Sequence, residues 1–156
     1  MKKNKEEWHG FPENKYNKHA WIDGNPKIGE GTWIGAFTVI NGTGGLEIGK
    51  NCDISCGAQI YTHSTVKRCV QGKRINKDGT INKELIEHKP VKIGDCTFIG
   101  PNSVILMGIT IGKHCIVGAG SVVTKDIPDC SIVVGVPARV VGKVILKKDG
   151  VELKKL

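Results

Sequence analysis

Between Ile93 and Pro128 the sequence divides into six consecutive hexapeptides, IGDCTF, IGPNSV, ILMGIT, IGKHCI, VGAGSV and VTKDIP. Each opens on a branched aliphatic, at Ile93, Ile99, Ile105, Ile111, Val117 and Val123, and four carry glycine next, at Gly94, Gly100, Gly112 and Gly118. The fifth position holds Thr97, Ser103, Ile109, Cys115, Ser121 and Ile127. A period of six drifts around a helix of 3.6 residues per turn and leaves it no stable apolar face. It is instead the period of a parallel β-helix. Each hexapeptide supplies one short strand and one corner, and three make a triangular coil. The first-position aliphatic points inward and stacks on its copy one strand spacing away, about 4.8 Å. The glycine stands where the chain turns and a Cβ would crowd it.

The same period runs earlier through Ile22, Ile28, Ile34, Ile40 and Leu46. After Leu46 the frame slips by two residues and restarts at Ile48 with IGKNCD, ISCGAQ and IYTHST. A slip at Gly44-Gly45 fits a bulged corner. The pattern then stops. Val66 to Pro90 is charged, carries the tight-turn dipeptide Asp78-Gly79, and gives way to a resumed repeat at Val91-Lys92-Ile93. A long insertion in a solenoid maps to a loop on one face, often the binding face, so this one reads as a loop folded over a site. Beyond Pro128, Val144 to Leu153 reads as two short strands about Asp149-Gly150, a hairpin capping the open end of the coil. The expected organisation is all-β: an N-terminal arm at 1–20, a β-helix domain at 21–140 with an inserted loop at 66–90, and a C-terminal cap and tail at 141–156. The arm, with Trp8, His9, Phe11, Tyr16 and His19, reads as an irregular segment or short helix packed on the first coil.

Composition narrows the function classes. Lys and Arg number 23 against 15 Asp and Glu, a formal charge of +8. Such a balance suits nucleic acid, a membrane surface or a phosphorylated small molecule. Only 5% of residues are aromatic and no nucleic-acid-binding signature is present, which favours a phosphate-rich cofactor or simple solubility. No N-terminal apolar segment follows Met1-Lys2-Lys3 and no apolar run reaches membrane-spanning length, so the expectation is a soluble, cytoplasmic chain without membrane insertion. The six cysteines contain no C-x-x-C pair. Cys52 and Cys115 fall on fifth positions and read as small hydrophobes, not disulfide or zinc ligands. Cys69 lies outside the repeats and is the thiol to examine for reactivity. Lys147, Lys148, Lys154 and Lys155 make the tail basic, as a solvated segment or a phosphate site.

The stretch that can carry chemistry is Tyr61-Thr62-His63-Ser64-Thr65, the last block before the insertion, together with Glu87-His88-Lys89-Pro90 where the insertion returns. His63 takes the fourth position of its block, near a corner, where a side chain can point out of the prism. An imidazole there can take a proton from a hydroxyl or amine attacking a carbonyl. Read from the residues alone, a surface histidine at a turn fits as well.

The segment from about Ala20 to Val144 resembles the hexapeptide-repeat acyltransferases, whose fold is a left-handed parallel β-helix. The likeness is strongest in VGAGSVVTKDIPDCSIVVGVPARVVG, which is similar to the last coil and exit segment of galactoside, maltose and other sugar O-acetyltransferases, with Gly-Val-Pro-Ala-Arg at 135–139 as a family mark. The resemblance implies the left-handed coil sense, which generic crossover preferences would not favour. It also implies a homotrimer with acetyl-CoA along the groove between neighbouring prisms, and a role in modifying surface polysaccharide. His63 matches the family's catalytic histidine, with direct transfer to a sugar hydroxyl and no acyl-enzyme. Ala119 is implied to contact the pantetheine arm, Thr124 and Lys125 to lie near the cofactor, and Arg139 near its phosphates. Phe98 would flank the thioester. Glu87 or His88 would orient His63 or hold the acceptor.

The chain departs from the sugar O-acetyltransferase pattern at several positions. Gly35 and Thr43 stand where the family places acceptor-holding Asn and Asp, Gly142 where a further Arg is expected, and Pro101 at a cofactor-contacting Ser. The acetyl donor is therefore better supported than the acceptor. An amine acceptor, as in N-acetyltransferases acting on nucleotide-linked amino sugars, is the alternative. A γ-class carbonic anhydrase-like metal hydratase would need an H-x-x-x-x-H pair, and His63, His88 and His114 are spaced 25 and 26 apart, so no metal is expected. A non-catalytic scaffold would not need the loop, His63 and the Thr124-Lys125 pair.

Overall fold

The structure, a computed structural model, describes residues 13–155; Trp8, His9 and Phe11 of the expected arm lie outside the described residues. The chain winds through five three-sided coils. The first holds β1 (Trp21–Gly24), β2 (Lys27–Ile28) and β3 (Trp33–Ile34), and the second β4 (Val39–Gly42), β5 (Leu46–Ile48) and β6 (Asp53–Ile54). The third begins with β7 (Gln59–Ile60) and is interrupted by a loop containing β8 (His63–Ser64), α1 (Val66–Val70) and β9 (Glu87–His88); it then continues with β10 (Val91–Ile93) and β11 (Phe98–Ile99). The fourth is β12 (Val104–Ile105), β13 (Thr110–Ile111) and β14 (Ile116–Val117). The fifth holds β15 (Val122–Val123), a single bridge at Ile127, and β16 (Ser131–Gly135), followed by β17 (Ala138–Lys147) and β18 (Gly150–Lys155).

Strands one turn apart pair in parallel and build three faces. The first face is β1-β4-β7-β12-β15, the second β2-β5-β10-β13, and the third β3-β6-β11-β14-β16, extended by β17 and β18. The register stacks the first-position aliphatics on one another, with fifth-position Ile127 and, beyond the last block, Val133 completing two of the columns. Ile40, Ile60, Ile105 and Val123 form one column, Ile48, Ile93, Ile111 and Ile127 the second, and Ile34, Ile54, Ile99, Val117 and Val133 the third. All are buried. The parallel β-helix expected from the period is therefore the observed architecture.

Two separate constraints set the corners. An added Cβ on second-position Gly100 would stand 2.6 Å from the Val117 carbonyl oxygen of the next coil, so the residue is small because backbones approach, not because its φ is unusual. Positive φ falls at the fourth position instead, at Asn51 (53°), Cys96 (56°), Asn102 (55°) and His114 (54°). Asn tolerates that conformation better than most residues. His63 holds the fourth position of its block without a positive φ, because the chain leaves the coil there and enters β8.

Fifth-position Cys52 and Cys115 are 2% and 1% exposed. Their thiols reach the Gly94 and Pro128 carbonyls at 3.2 and 3.1 Å, and burial pushes both thiol pKa values up. The C-terminal hairpin is longer than the sequence suggests. Its second strand pairs around Lys148-Asp149, and β17 starts at Ala138 because it also pairs antiparallel with β16, past a bulge between Ile132 and Val133. The hairpin thus prolongs the third face. Among the described residues no helix is long and apolar enough to cross a membrane.

Two outcomes follow from this packing. Ile99→Ala, at a fully buried position between Ile54 and Val117, is expected to cost about 2–5 kcal/mol in denaturant unfolding. A thiol reagent at neutral pH is expected to modify Cys56, Cys69 and Cys96, all exposed, in the folded chain, and Cys52 and Cys115 only after unfolding; mass spectrometry after a short pulse reads both.

Candidate active site

The site grows out of the two-residue slip. Ile40 and Ile48 are eight residues apart instead of six, so β4 runs on through Asn41 to Gly42 before the chain turns onto the second face at Gly44-Gly45. Gly45 has φ +94°, and a Cβ on Gly44 would strike the Thr62 carbonyl at 2.1 Å. The widened corner brings Asn41 to Gly44 against Thr62 and His63 of the next coil. Asn41 and Thr62 are buried.

Their polar groups satisfy one another. Asn41 Oδ1 lies 2.7 Å from Thr62 Oγ1, 3.0 Å from Thr43 Oγ1, 3.4 Å from the Thr62 amide nitrogen and 3.0 Å from His63 Nδ1. Its Nδ2 donates to Asp23 Oδ2 at 3.4 Å. Gly44 N–H donates to Thr62 Oγ1 at 2.8 Å. A carboxylate only accepts and a backbone N–H only donates, so these neighbours fix the amide orientation. With Oδ1 turned to it, His63 Nδ1 is the donor, and Nε2 keeps its lone pair. The arrangement can therefore accept a proton at Nε2 from an acidified hydroxyl or amine placed beside it.

Across the β8–β9 ribbon His63 pairs with His88 and Ser64 with Glu87. The two imidazole centroids are 6.0 Å apart and tilted by 40°. Alternate residues of a strand face opposite sides, so Glu87 lies on the other side of the ribbon. It is held there by Lys67 Nζ at 2.9 Å, and the Lys67 ammonium keeps its carboxyl below the usual range. The inserted loop continues as a small hairpin, with Ile75 bridged to Ile81 and the turn at Asp78-Gly79. At its base Thr65, Arg68, Cys69 and Arg74 line a cavity of about 320 Å³. Arg68 is braced by an Nη1 bond to the Asn82 carbonyl at 2.9 Å.

The residues singled out for a cofactor fall into two groups. Thr124 and Lys125 follow β15, on the corner that His63 also occupies. Two strand spacings separate β7 from β15, placing them about 10 Å along the axis from the His63 block. Phe98 stands on the third face, partly exposed, beside Ile116 and Asp53. Ala119 is exposed at the corner between the third and first faces, and exposed Arg139 lies on β17, its Nη1 donating to the Ala138 carbonyl at 2.9 Å. One prism keeps these groups apart. His114 sits on the remaining corner, away from His63 and His88, and the described residues hold no cluster of three metal-ligating side chains. Asn41 was not legible as a site residue, because INGTGG reads as an ordinary repeat block; the frame slip beside it was the available signal.

The repeat-bearing segments 27–61 and 90–125 match the family model described as hexapeptide repeat of succinyl-transferase. Over 129 residues the chain is 30% identical to galactoside O-acetyltransferase of Escherichia coli (strain K12), across 75% of this chain and 63% of that protein. A maltose O-acetyltransferase from Clostridium difficile 630 has a solved structure that is 33% identical, with a TM-score of 0.58 over 80% of this chain and 66% of that one. A hexapeptide-repeat-containing acetyltransferase from Vibrio cholerae is similar at 30% identity and a TM-score of 0.51, over 80% of this chain and 70% of that one. Its complex with acetyl coenzyme A gives 28% and 0.62, over 80% and 67%. The chain thus spans about 63% of the length of the E. coli relative. With five triangular coils in common register and these likenesses spread over most of its length, the chain belongs to the hexapeptide-repeat acyltransferases.

Proposed function

We propose that the protein is an acetyltransferase that moves the acetyl group of acetyl-CoA to a hydroxyl of a sugar or sugar-derived acceptor, with His63 as general base. The observation that carries the reading is the hydrogen bond from His63 Nδ1 to the buried Asn41 amide, which leaves Nε2 free to accept a proton at the mouth of the inserted loop. The sugar O-acetyltransferases among the similar proteins support the acceptor class, and the acetyl coenzyme A complex of the Vibrio cholerae protein supports the donor.

In this mechanism the acceptor hydroxyl gives its proton to Nε2 as its oxygen attacks the thioester carbonyl. A tetrahedral oxyanion forms, stabilised by a backbone N–H. Its collapse breaks the C–S bond, and the imidazolium returns the proton to the departing thiolate. No acyl-enzyme forms. Lys125 and Arg139 take no part in an ion pair among the described residues, so both charges are available to the cofactor's phosphates. Thr124 and Ala119 would hold its pantetheine arm, and Phe98 would flank the thioester.

The two groups of candidate residues meet only if a second prism supplies one wall of the groove. A closed homotrimer does this three times over. The exposed apolar side chains Val136, Leu146, Val151 and Leu153 on and beside the hairpin are surface that such packing would cover. His88, across the ribbon from His63, would meet the acceptor.

Thiol release from acetyl-CoA across a panel of hydroxyl and amino sugars tests the reading. His63→Ala is expected to lower kcat/KM by about a hundredfold or more; a smaller loss would remove His63 from the role. An amino sugar turned over in preference to hydroxyl sugars would move the acceptor to the amine class. Lys125→Ala is expected to raise the KM for acetyl-CoA several-fold while leaving the acceptor KM unchanged, read from the same assay.

A further inference from the structure

Asn41 accepts the Nδ1–H of His63 through a neutral amide, and a carboxylate, Asp23, stands one residue further back, accepting from the other end of that amide. We infer that Asn41 is the positioning residue of His63, a neutral amide that holds the imidazole in one tautomer. The inference rests on the general-base role proposed above.

The geometry separates the two requirements of such a base. Orientation needs a rigid acceptor at Nδ1. Asn41 supplies it, because its side chain is buried and tied to Thr43, Thr62 and Asp23. Availability at Nε2 needs a low proton affinity. A carboxylate in direct contact with an imidazole favours the charged ring and raises its pKa by about one to three units, which removes free base at a given pH. An amide of the same shape makes the same hydrogen bond without that charge.

The remaining charged groups around His63 do not replace it. Glu87 is paired with Lys67 on the opposite side of the ribbon. His88 faces His63 at 6.0 Å and Lys89 follows it, so the strand packed against His63 brings no free carboxylate. On its own coil, Tyr61 donates its hydroxyl to Gln59 at 2.7 Å. The frame slip that creates the Asn41 corner thus assigns the histidine an uncharged partner.

The test uses 15N-labelled histidine in the full chain, with the His63 signals identified from their loss in His63→Ala. Nitrogen shifts report tautomer and titration without any turnover. Wild type is expected to show the Nδ1-protonated tautomer of His63 when neutral. The variant Asn41→Asp/Asp23→Asn exchanges the amide and the carboxylate at constant net charge. It is expected to raise the titration midpoint of His63 by about one unit or more, and to move the acidic limb of kcat/KM upward by the same amount. Asn41→Leu, checked for folding by circular dichroism, is expected to lose the single tautomer and to lower kcat by about tenfold or more with the KM for acetyl-CoA unchanged. An Nε2-protonated His63 in the wild type, or a midpoint unchanged by the exchange, overturns the inference. If no acceptor is turned over, the general-base reading fails on the assay, while the tautomer and midpoint still decide the role of Asn41.

Discussion

Stacking of branched aliphatics at a fixed spacing is the constraint on which the rest of the molecule depends. Each of the three interior columns repeats the same contact one coil after another, so the backbone of every rung is held in register by side chains it did not choose individually. That regularity has a direct cost in sequence freedom. The first position holds a branched aliphatic in these blocks, the second is glycine where the next backbone closes in, as Gly100 below Val117, and the fourth takes a left-handed φ at Asn51, Cys96, Asn102 and His114. What remains free is the outer surface and any segment that leaves the coil. Chemistry is therefore confined to the corners and to departures from the period.

The proposed site lies at two such departures that adjoin in space. The slip at Gly44-Gly45 widens one corner, and the interruption after Thr65 begins one coil later on the same edge. Neither alone would suffice. The slip buries an amide with its hydrogen-bonding partners, while the loop supplies β9, which pairs with His63 and fixes its backbone. The histidine is held from behind by a buried polar cluster and from the side by a two-stranded ribbon.

Much of the fold was legible because the period is written directly into the sequence. The spacing alone places the columns at Ile93, Ile99, Ile105, Ile111, Val117 and Val123 residue by residue, and marks the interruption and its Asp78-Gly79 turn. The length of β17 was less legible. Ala138 to Val141 look like an exit segment, and only the antiparallel ladder with β16 makes them strand. Within the site, His63 stood out by its place beside the insertion, and His88 by its place at the loop's return. Asn41 was hidden, since an asparagine inside INGTGG carries no periodic signature and its importance comes from a neighbour 22 residues away. Thr62 lies in the stretch beside His63 that the sequence marks, but its bonds to Asn41 and Gly44 depend on the widened corner and carry no sequence signal. Glu87 was visible as a candidate orienting group, yet strand alternation turns it toward Lys67.

In crystals, a missing or extra half-plane makes a dislocation, and reactivity concentrates there because the lattice can no longer satisfy every atom in the same way. The two additional residues between Ile40 and Ile48 act on this stack in the same sense. Sequences that keep the ladders but lose that defect would retain the wall and forfeit the pocket for the amide. Transplanting Asn41 to Gly44 together with the following insertion onto another edge of the prism would, on this view, carry the proposed base with it.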